Sequence, residues 1–197
     1  MMNRNLLKSL GLALSLCVAA PALQAPAQTT GSISRKPATF TTEEILGSGH
    51  QFFGKASRGL GEAVEYVFQN QGEPSAYIIG EEGAGAFVGG LRYGEGTIYY
   101  KDGTRQRIYW QGPSVGFDFG GNGSRTMTLV YNSYSPQDLY ERFIGVEGSA
   151  YFIGGLGVNF QKNADIVMAP IRTGVGARLG ANVGYLKYSR KPTWNPF

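Results

Sequence analysis

The chain has one cysteine and one histidine in 197 residues, Cys17 and His50. A single histidine cannot build an HExxH or a three-histidine zinc site. A single cysteine forms no disulfide within the chain. Acidic side chains are missing from the whole stretch after Asp165, where Arg172, Arg178, Lys187, Arg190 and Lys191 leave the C-terminal part locally cationic. Long apolar runs are also missing. The one apolar stretch, residues 10–20, falls short of the roughly 20 residues that span a bilayer as a helix.

That stretch has another reading. In "MMNRNLLKSLGLALSLCVAAPALQAPAQ", Arg4 and Lys8 precede the apolar segment and Ala25-Pro26-Ala27 follow it. A basic start, a short apolar middle and a small-residue end make a secretory signal peptide over residues 1–27. Cleavage after Ala27 is expected, with Ala20-Pro21-Ala22 as the alternative. Cys17 sits inside the apolar middle, preceded by Leu16 and followed by Val18-Ala19-Ala20, which is not a lipidation site. The mature chain then has no cysteine, which excludes disulfides, thiolate metal sites and cysteine catalysis. Loss of Arg4 and Lys8 takes the formal charge from +4 to +2, too mild to argue for nucleic acid. The implied location is the periplasm.

Residues 28–39 are polar and read as a flexible leader. Residues 40–72 read as a helical segment that packs on the domain after it. Thr41 followed by Glu44 is a capping-box pattern. Leu60, Ala63, Val64, Val67 and Phe68 form one apolar stripe that Gly72 can end. The "GSGH" sequence at 47–50 predicts a break between two helical pieces.

From Ser75 the period changes to two, the period of strands. Candidate strands are "SAYIIGE", "GAFVGGLRY", "GTIYYK", "QRIYWQ", "SVGFDFG", "SRTMTLVYN", "SAYFIGGLGVNF", "ADIVMAP" and "GVGARLGANVGYLKYS". The turn signals "YGEG", "KDGT", "QGP", "GGNG" and "QKNAD" separate them. "SYSPQDLYERF" predicts a short helix with Ser135 as cap, Pro136 at its first position and Leu139 and Phe143 on one face. The last strand is expected to point its odd-numbered side chains, Val175 to Tyr185, into the core.

Glycine, 30 of 197 residues, is about twice its usual roughly 7% share. Glycine weakens strands, so its repeated use implies close backbone approach, coiling or barrel corners. The expected fold is mainly β: a small antiparallel barrel of about eight strands over residues 73–191, N-terminal helices packed against it, and a tail at 192–197. An integral membrane barrel is disfavoured. Counted back in twos from Phe197, the end of the chain shows Asn195, Thr193, Lys191 and Ser189, so no lipid-facing apolar row reaches it.

Motifs for catalysis fail one by one. "GPSVG" matches the G-x-S-x-G elbow around Ser114, but its flanks are strand-like and the only histidine lies upstream. "GVGARLG" imitates a dinucleotide loop, yet it does not open a helix and no acidic residue follows it. Glu81, Glu82, Glu95, Asp102, Asp118 and Asp165 could pair as acid and base, with nothing in the sequence to show which face each other. No cofactor is implied, and the chain reads as a non-enzyme.

From Pro74 to Ser189, "GAFVGGLRYGEGTIYY", "YWQGPSVGFDFGGNGSRTMTLVYN" and "SPQDLYERFIGVEGSAYFIGGLGVNF" resemble the EipA-type envelope proteins of alphaproteobacteria. That resemblance implies a periplasmic β-barrel that supports envelope integrity, in a family long known as a domain of unknown function. More distantly the order is similar to the SYLF-type lipid-binding domain. Tyr93-Gly94-Glu95-Gly96, Trp110 with Pro113, Leu129-Val130-Tyr131 and 138–143 hold the matching places, and this likeness implies lipid binding.

Trp110, Phe117, Phe119, Tyr151, Phe152, Leu156 and Phe160 either form core or face a lipid or amphiphile. Arg172, Arg178 and Lys187, with Arg190, Lys191 and Trp194, either hold phosphates at a membrane surface or form a solvated basic tail. Two functions stand: a non-catalytic periplasmic protein that binds a lipid or amphiphile in or on its barrel, with at most peripheral membrane contact, or a structural module with a side-chain-filled barrel that meets an envelope protein. The signal-peptide reading makes a direct prediction. Intact-mass measurement of the secreted protein should give Gln28 as its first residue, and an uncleaved chain would refute it.

Overall fold

The structure, a computed structural model, describes residues 37–54, 58–85, 91–113, 123–146, 149–173 and 184–195. All of these belong to the compact unit Lys36–Phe197. The expected signal peptide, most of the expected leader, the strand expected at "SVGFDFG" and residues 174–183 of the expected closing strand lie outside the described residues.

Helix α1 (Thr42–Phe53) starts as its sequence predicts. Thr41 Oγ1 accepts from the Glu44 N–H at 3.4 Å, and the Glu44 carboxylate accepts from the Thr41 N–H at 2.9 Å. Such a cap contributes about 1 kcal/mol. The predicted break at 47–50 is not there: α1 runs through it and ends at Gly54, whose φ of 56° favours glycine. Gly49 instead allows a close helix–helix approach, since a Cβ there would stand 2.5 Å from Leu60 Cδ2. Helix α2 (Leu60–Gln71) buries Leu60, Ala63, Val64 and Val67 completely and stops at Gly72.

Among the described residues ten strands follow: β1 (Ala76–Gly85), β2 (Leu91–Tyr100), β3 (Arg105–Pro113), β4 (Ser124–Tyr131), β5 (Arg142–Gly145), β6 (Tyr151–Ile153), β7 (Leu156–Val158), β8 (Gln161–Asn163), β9 (Ile166–Arg172) and β10 (Tyr185–Ser189). Eight of them, in the order β4-β1-β2-β3-β10-β5-β8-β9, close into an antiparallel barrel when β9 pairs β4 from Thr126↔Arg172 to Tyr131↔Val167. The β6–β7 hairpin continues along the same edge of β9 as β8.

Strand alternation sends two sets of side chains to two cores. Ile78, Ile98, Ile108, Trp110, Val130, Phe143, Met168, Leu186 and Tyr188 point inward and are all buried. Among the described residues the lumen is therefore packed with side chains. The outward faces of β4 and β9 carry Met127, Leu129, Ala169 and Ile171, which pack with Ile45, Leu60, Val64 and Val67 of the helices and with Leu156, Val158 and Phe160. The helices thus cover one side of the barrel.

Four local expectations change. "YGEG" is not a turn but the middle of β2, paired residue by residue with β1 and β3. "SAYFIGGLGVNF" is not one strand: Gly154 (φ 58°) and Gly155 (φ 85°) turn it into the β6–β7 hairpin. The helix expected around Leu139 and Phe143 is only a 3-10 turn, Pro136–Leu139, after which Phe143 lies on β5; both side chains still enter the lumen. In β10 the inward residues are Leu186 and Tyr188, so the odd-numbered Tyr185 and Lys187 face outward, against the expected parity. The "KDGT" turn between β2 and β3 does form, with Gly103 at φ 90°.

The β2 glycines have a specific occupant. Gly94 pairs with Glu82 on one side and Trp110 on the other. A Cβ at Gly94 would lie 2.1 Å from Trp110 Cε2, so the indole lies across β2 where a side chain would stand. Gly94→Ala should destabilise the protein by about 2 kcal/mol or more through overpacking, measured by urea unfolding. Because this clash is with the ring alone, Trp110→Phe in the same chain should cost less than in the parent; strict additivity would refute the contact.

Candidate functional site

The indole that crosses β2 ends on a carboxylate. Trp110 Nε1 donates to Glu82 Oε2 at 3.0 Å, two strands away. Strands lie about 4.8 Å apart, so the span of roughly 10 Å needs a side chain as long as tryptophan and a glycine beneath it. Glu82 Oε1 accepts from Arg172 Nε at 2.9 Å, and Arg92 Nε stands 3.4 Å from the same oxygen. Arg172 Nη1 donates to Asn159 Oδ1 at 2.5 Å. Glu82, at 6% exposure, is almost wholly withdrawn from water.

A buried carboxylate favours its neutral form unless opposite charges compensate. Burial is the largest influence on Glu82 and raises its pKa. The charges of Arg172 and Arg92, with the Trp110 and Arg172 hydrogen bonds, outweigh it and hold the group below the ordinary carboxylate range. Glu82 thus stands between two guanidiniums, with Arg172 the nearer.

The sequence-predicted residues divide among three places. Trp110 and Arg172 meet at Glu82 inside the barrel mouth. Tyr151 and Leu156 lie on the helix-facing side of the β6–β7 hairpin, with the Tyr151 ring 4.9 Å from that of Tyr66 and Leu156 buried beneath α2. Phe152 points to the opposite side and is 56% exposed. Lys187 lies on the outer face of β10, opposite Arg142 of β5 and Gln111 of β3. Phe117, Phe119, Arg178 and Ser114 lie outside the described residues. Sequence reasoning missed Glu82, Arg92 and Asn159 as partners in one cluster. The parity of "AYIIGEE" carried the signal: Ile78, Gly80 and Glu82 share a face with Ala76.

The outer face of β3, β10, β5 and β8 forms a second candidate. Arg105, Arg107, Arg142 and Lys162 are exposed there, and Ile144, 65% exposed, pairs with Tyr185 and Lys162. Arg142 sits over the Tyr185 ring at 5.2 Å. Glu95 answers Arg107 at 3.0 Å.

Among the described residues the titratable groups named from the sequence are engaged in structural contacts or stand apart. His50 is exposed in the last turn of α1. Glu82 is held by arginines, Glu95 by Arg107, and Asp102 accepts from the Thr104 N–H at 2.8 Å to shape its turn. Among the described residues no three histidine or carboxylate side chains gather as metal ligands.

The sequence profile of envelope integrity protein A matches residues 38–197. The fold is similar to the crystal structure of a beta-barrel-like, uncharacterized protein from Brucella abortus, with 60% identity and a TM-score of 0.74 over 81% of this chain and 99% of that one. No curated protein matches.

The Glu82 cluster sets an acid limit. Its depressed pKa means that its stabilisation is present above the unfolded value, about 4.3, and is lost as pH falls below that through the folded value. Glu82→Gln leaves two arginines without their carboxylate. It should destabilise the protein by about 3 kcal/mol at pH 7 and flatten the loss of stability below pH ~4. Urea unfolding across pH would detect both, and an unchanged acid slope would contradict the assignment.

Proposed function

The chain belongs to the envelope integrity protein A family, and from that premise we propose that it is a non-catalytic periplasmic protein that meets anionic amphiphiles on the outside of its barrel. The observation that carries this reading is the division of surfaces. Among the described residues the lumen is packed with its own side chains. The outer face of β3, β10, β5 and β8 bears cations around an exposed isoleucine.

Arg142 and Lys187 stand directly opposite each other in the β5–β10 ladder. With Lys162 they set cations where an anionic surface of lipid phosphates would meet them, and Ile144 with Tyr185 gives that surface an apolar anchor. The same charged face is unsuited to hydrocarbon, which supports peripheral contact rather than a membrane-spanning barrel. Among the described residues no helix is long and apolar enough to cross a membrane. The signal peptide supports the periplasmic location.

Each cation near an anionic bilayer contributes about 1 kcal/mol. Replacing Arg142, Lys162 and Lys187 together by Gln should weaken binding to anionic vesicles on the order of a hundredfold. Flotation with phosphatidylglycerol vesicles, set against phosphatidylcholine vesicles, reads the effect. Raised salt should reproduce the loss. Absence of flotation in the parent protein would overturn this function in favour of a protein-contact module.

A further inference from the structure

We propose that a groove at the end of the barrel away from Glu82 is a docking site for an extended protein segment that presents an arginine, received by Glu141 and Asp165 beside Tyr134. These are other residues than those of the outer face, and the site does not depend on contact with lipid.

Strand β4 starts beside Glu82, at the pair Glu82↔Ser124, and runs to Val130 beside Ala76. The loop that follows β4 therefore lies at the opposite end of the barrel. A groove of about 820 Å³ opens there between this loop, the start of β5 and the β8–β9 turn, and Asn132, Tyr134, Glu141, Asp165 and Ile166 line it. Its walls are fixed before anything binds. Asp138 Oδ2 accepts from the N–H groups of Tyr134 and Ser135 at 2.7 and 2.9 Å, which shapes the loop. Asn132 Nδ2 donates to the Asp165 carbonyl at 2.8 Å and ties the loop to the turn. Asn163 Nδ2 donates to the Arg142 carbonyl at 3.0 Å and ties the turn to β5. Walls held this way lose little freedom when a partner arrives.

Charge complementarity identifies the occupant. Every other described carboxylate has an answer within the fold. Glu44, Glu81, Glu82 and Glu95 pair with Lys101, Arg125, Arg172 and Arg107. Asp102 and Asp138 accept from backbone N–H groups, Glu65 from Gln69 and Glu73 from Thr39. Glu43 and Glu62 stand in the first turns of α1 and α2, where the helix dipole favours negative charge. Glu141 and Asp165 have none of these. Neither side chain makes an ion pair or a hydrogen bond among the described residues, and both line the one groove. Arg142, the cation next in sequence, is turned over the Tyr185 ring instead.

The shape of the wall selects a guanidinium. Its planar fork donates to carboxylates in pairs, and its face stacks on an aromatic ring. Tyr134, 59% exposed, offers that ring at the edge of the groove. The methylenes of an arginine stem cover Ile166 on the groove floor. Asn132, Tyr134, Glu141 and Asp165 are all exposed, so the main chain that carries the arginine passes over the groove without entering the barrel.

The test uses the full mature protein, isotope-labelled for NMR, at low ionic strength. The probe is the peptide acetyl-Ala-Arg-Ala-Arg-Ala-amide, compared with its citrulline counterpart and with acetylarginine amide. Saturable shifts of backbone amides confined to 132–141 and 163–166 are expected with the arginine peptide, and none with citrulline. In the double variant Glu141→Gln/Asp165→Asn, binding should weaken by about tenfold with Tm unchanged, since both side chains are exposed. Glu43→Gln/Glu62→Gln makes the same change in net charge away from the groove and should bind the peptide as the parent does. Absence of saturable shifts, shifts elsewhere, undiminished affinity in the groove variant, or an equal loss in the control variant overturns the site. Acetylarginine amide bound as tightly as the peptide would overturn the protein segment as its occupant. Flotation of the groove variant on phosphatidylglycerol vesicles should not fall below that of the parent, so the docking site and the lipid contact fail separately.

Discussion

The hydrogen bond from Trp110 to Glu82 across Gly94 organises the barrel around it. It requires three adjacent strands in one register: the donor on β3, a residue without a side chain on β2, and the acceptor on β1. A slip of β2 by one residue would put Tyr93 or Glu95 under the indole and reverse every side chain of that strand. Arg172 then links the same carboxylate to β9, the strand whose pairing with β4 closes the barrel. Buried ion pairs roughly break even in stability against apolar replacements. The return here is specificity, because only one arrangement of β1, β2, β3 and β9 brings Trp110, Arg92 and Arg172 to the one carboxylate.

Around that constraint the two cores share a wall. Strand β4 is buried on both faces from Thr126 to Tyr131, with Val130 serving the lumen and Leu129 the helices. Strand β9 divides in the same way, with Met168 inward and Ile171 outward. A wall used on both sides has no solvent-facing row, and in "TMTLVY" all six side chains are buried, the two threonines included. The opposite wall, β3 with β10 and β5, has solvent on one side and alternates accordingly. The position of the helices thus follows from which strands lack a polar face.

This distinction explains what could be learned from the chain as a string. Features set by neighbouring residues were legible: the Thr41–Glu44 cap, the Leu60–Val67 stripe, the Gly72 stop and the turn at Gly103. Features set by a distant partner were not. Glycines at 94 and 96 signal a turn locally, yet they are there for the Trp110 indole and for the backbone of β1. Gly49 signals a helix break and instead admits Leu60. The parity of β10 depends on its pairing with β3 and β5, which alternation alone does not fix. Within the candidate site, Trp110 and Arg172 stood out by residue type. Glu82 did not, because what distinguishes it is its burial against Trp110, Arg92 and Arg172, which come from three other strands.

Interiors are close-packed, and a chain of methylenes cannot be added to one without displacing side chains. The described part of the lumen is filled by Ile78, Ile98, Ile108, Trp110, Val130 and Met168, so its packing is settled by the chain itself. The outer face of β5 is different. Ile144 is 65% exposed there, framed by Tyr185 and Lys162, with Arg142 over the Tyr185 ring. An apolar side chain left to water among cations adds nothing to the core, so its place in the sheet is not explained by folding. The barrel therefore separates the residues that build it, which face inward or toward the helices, from a set on β5 and its neighbours that folding does not require.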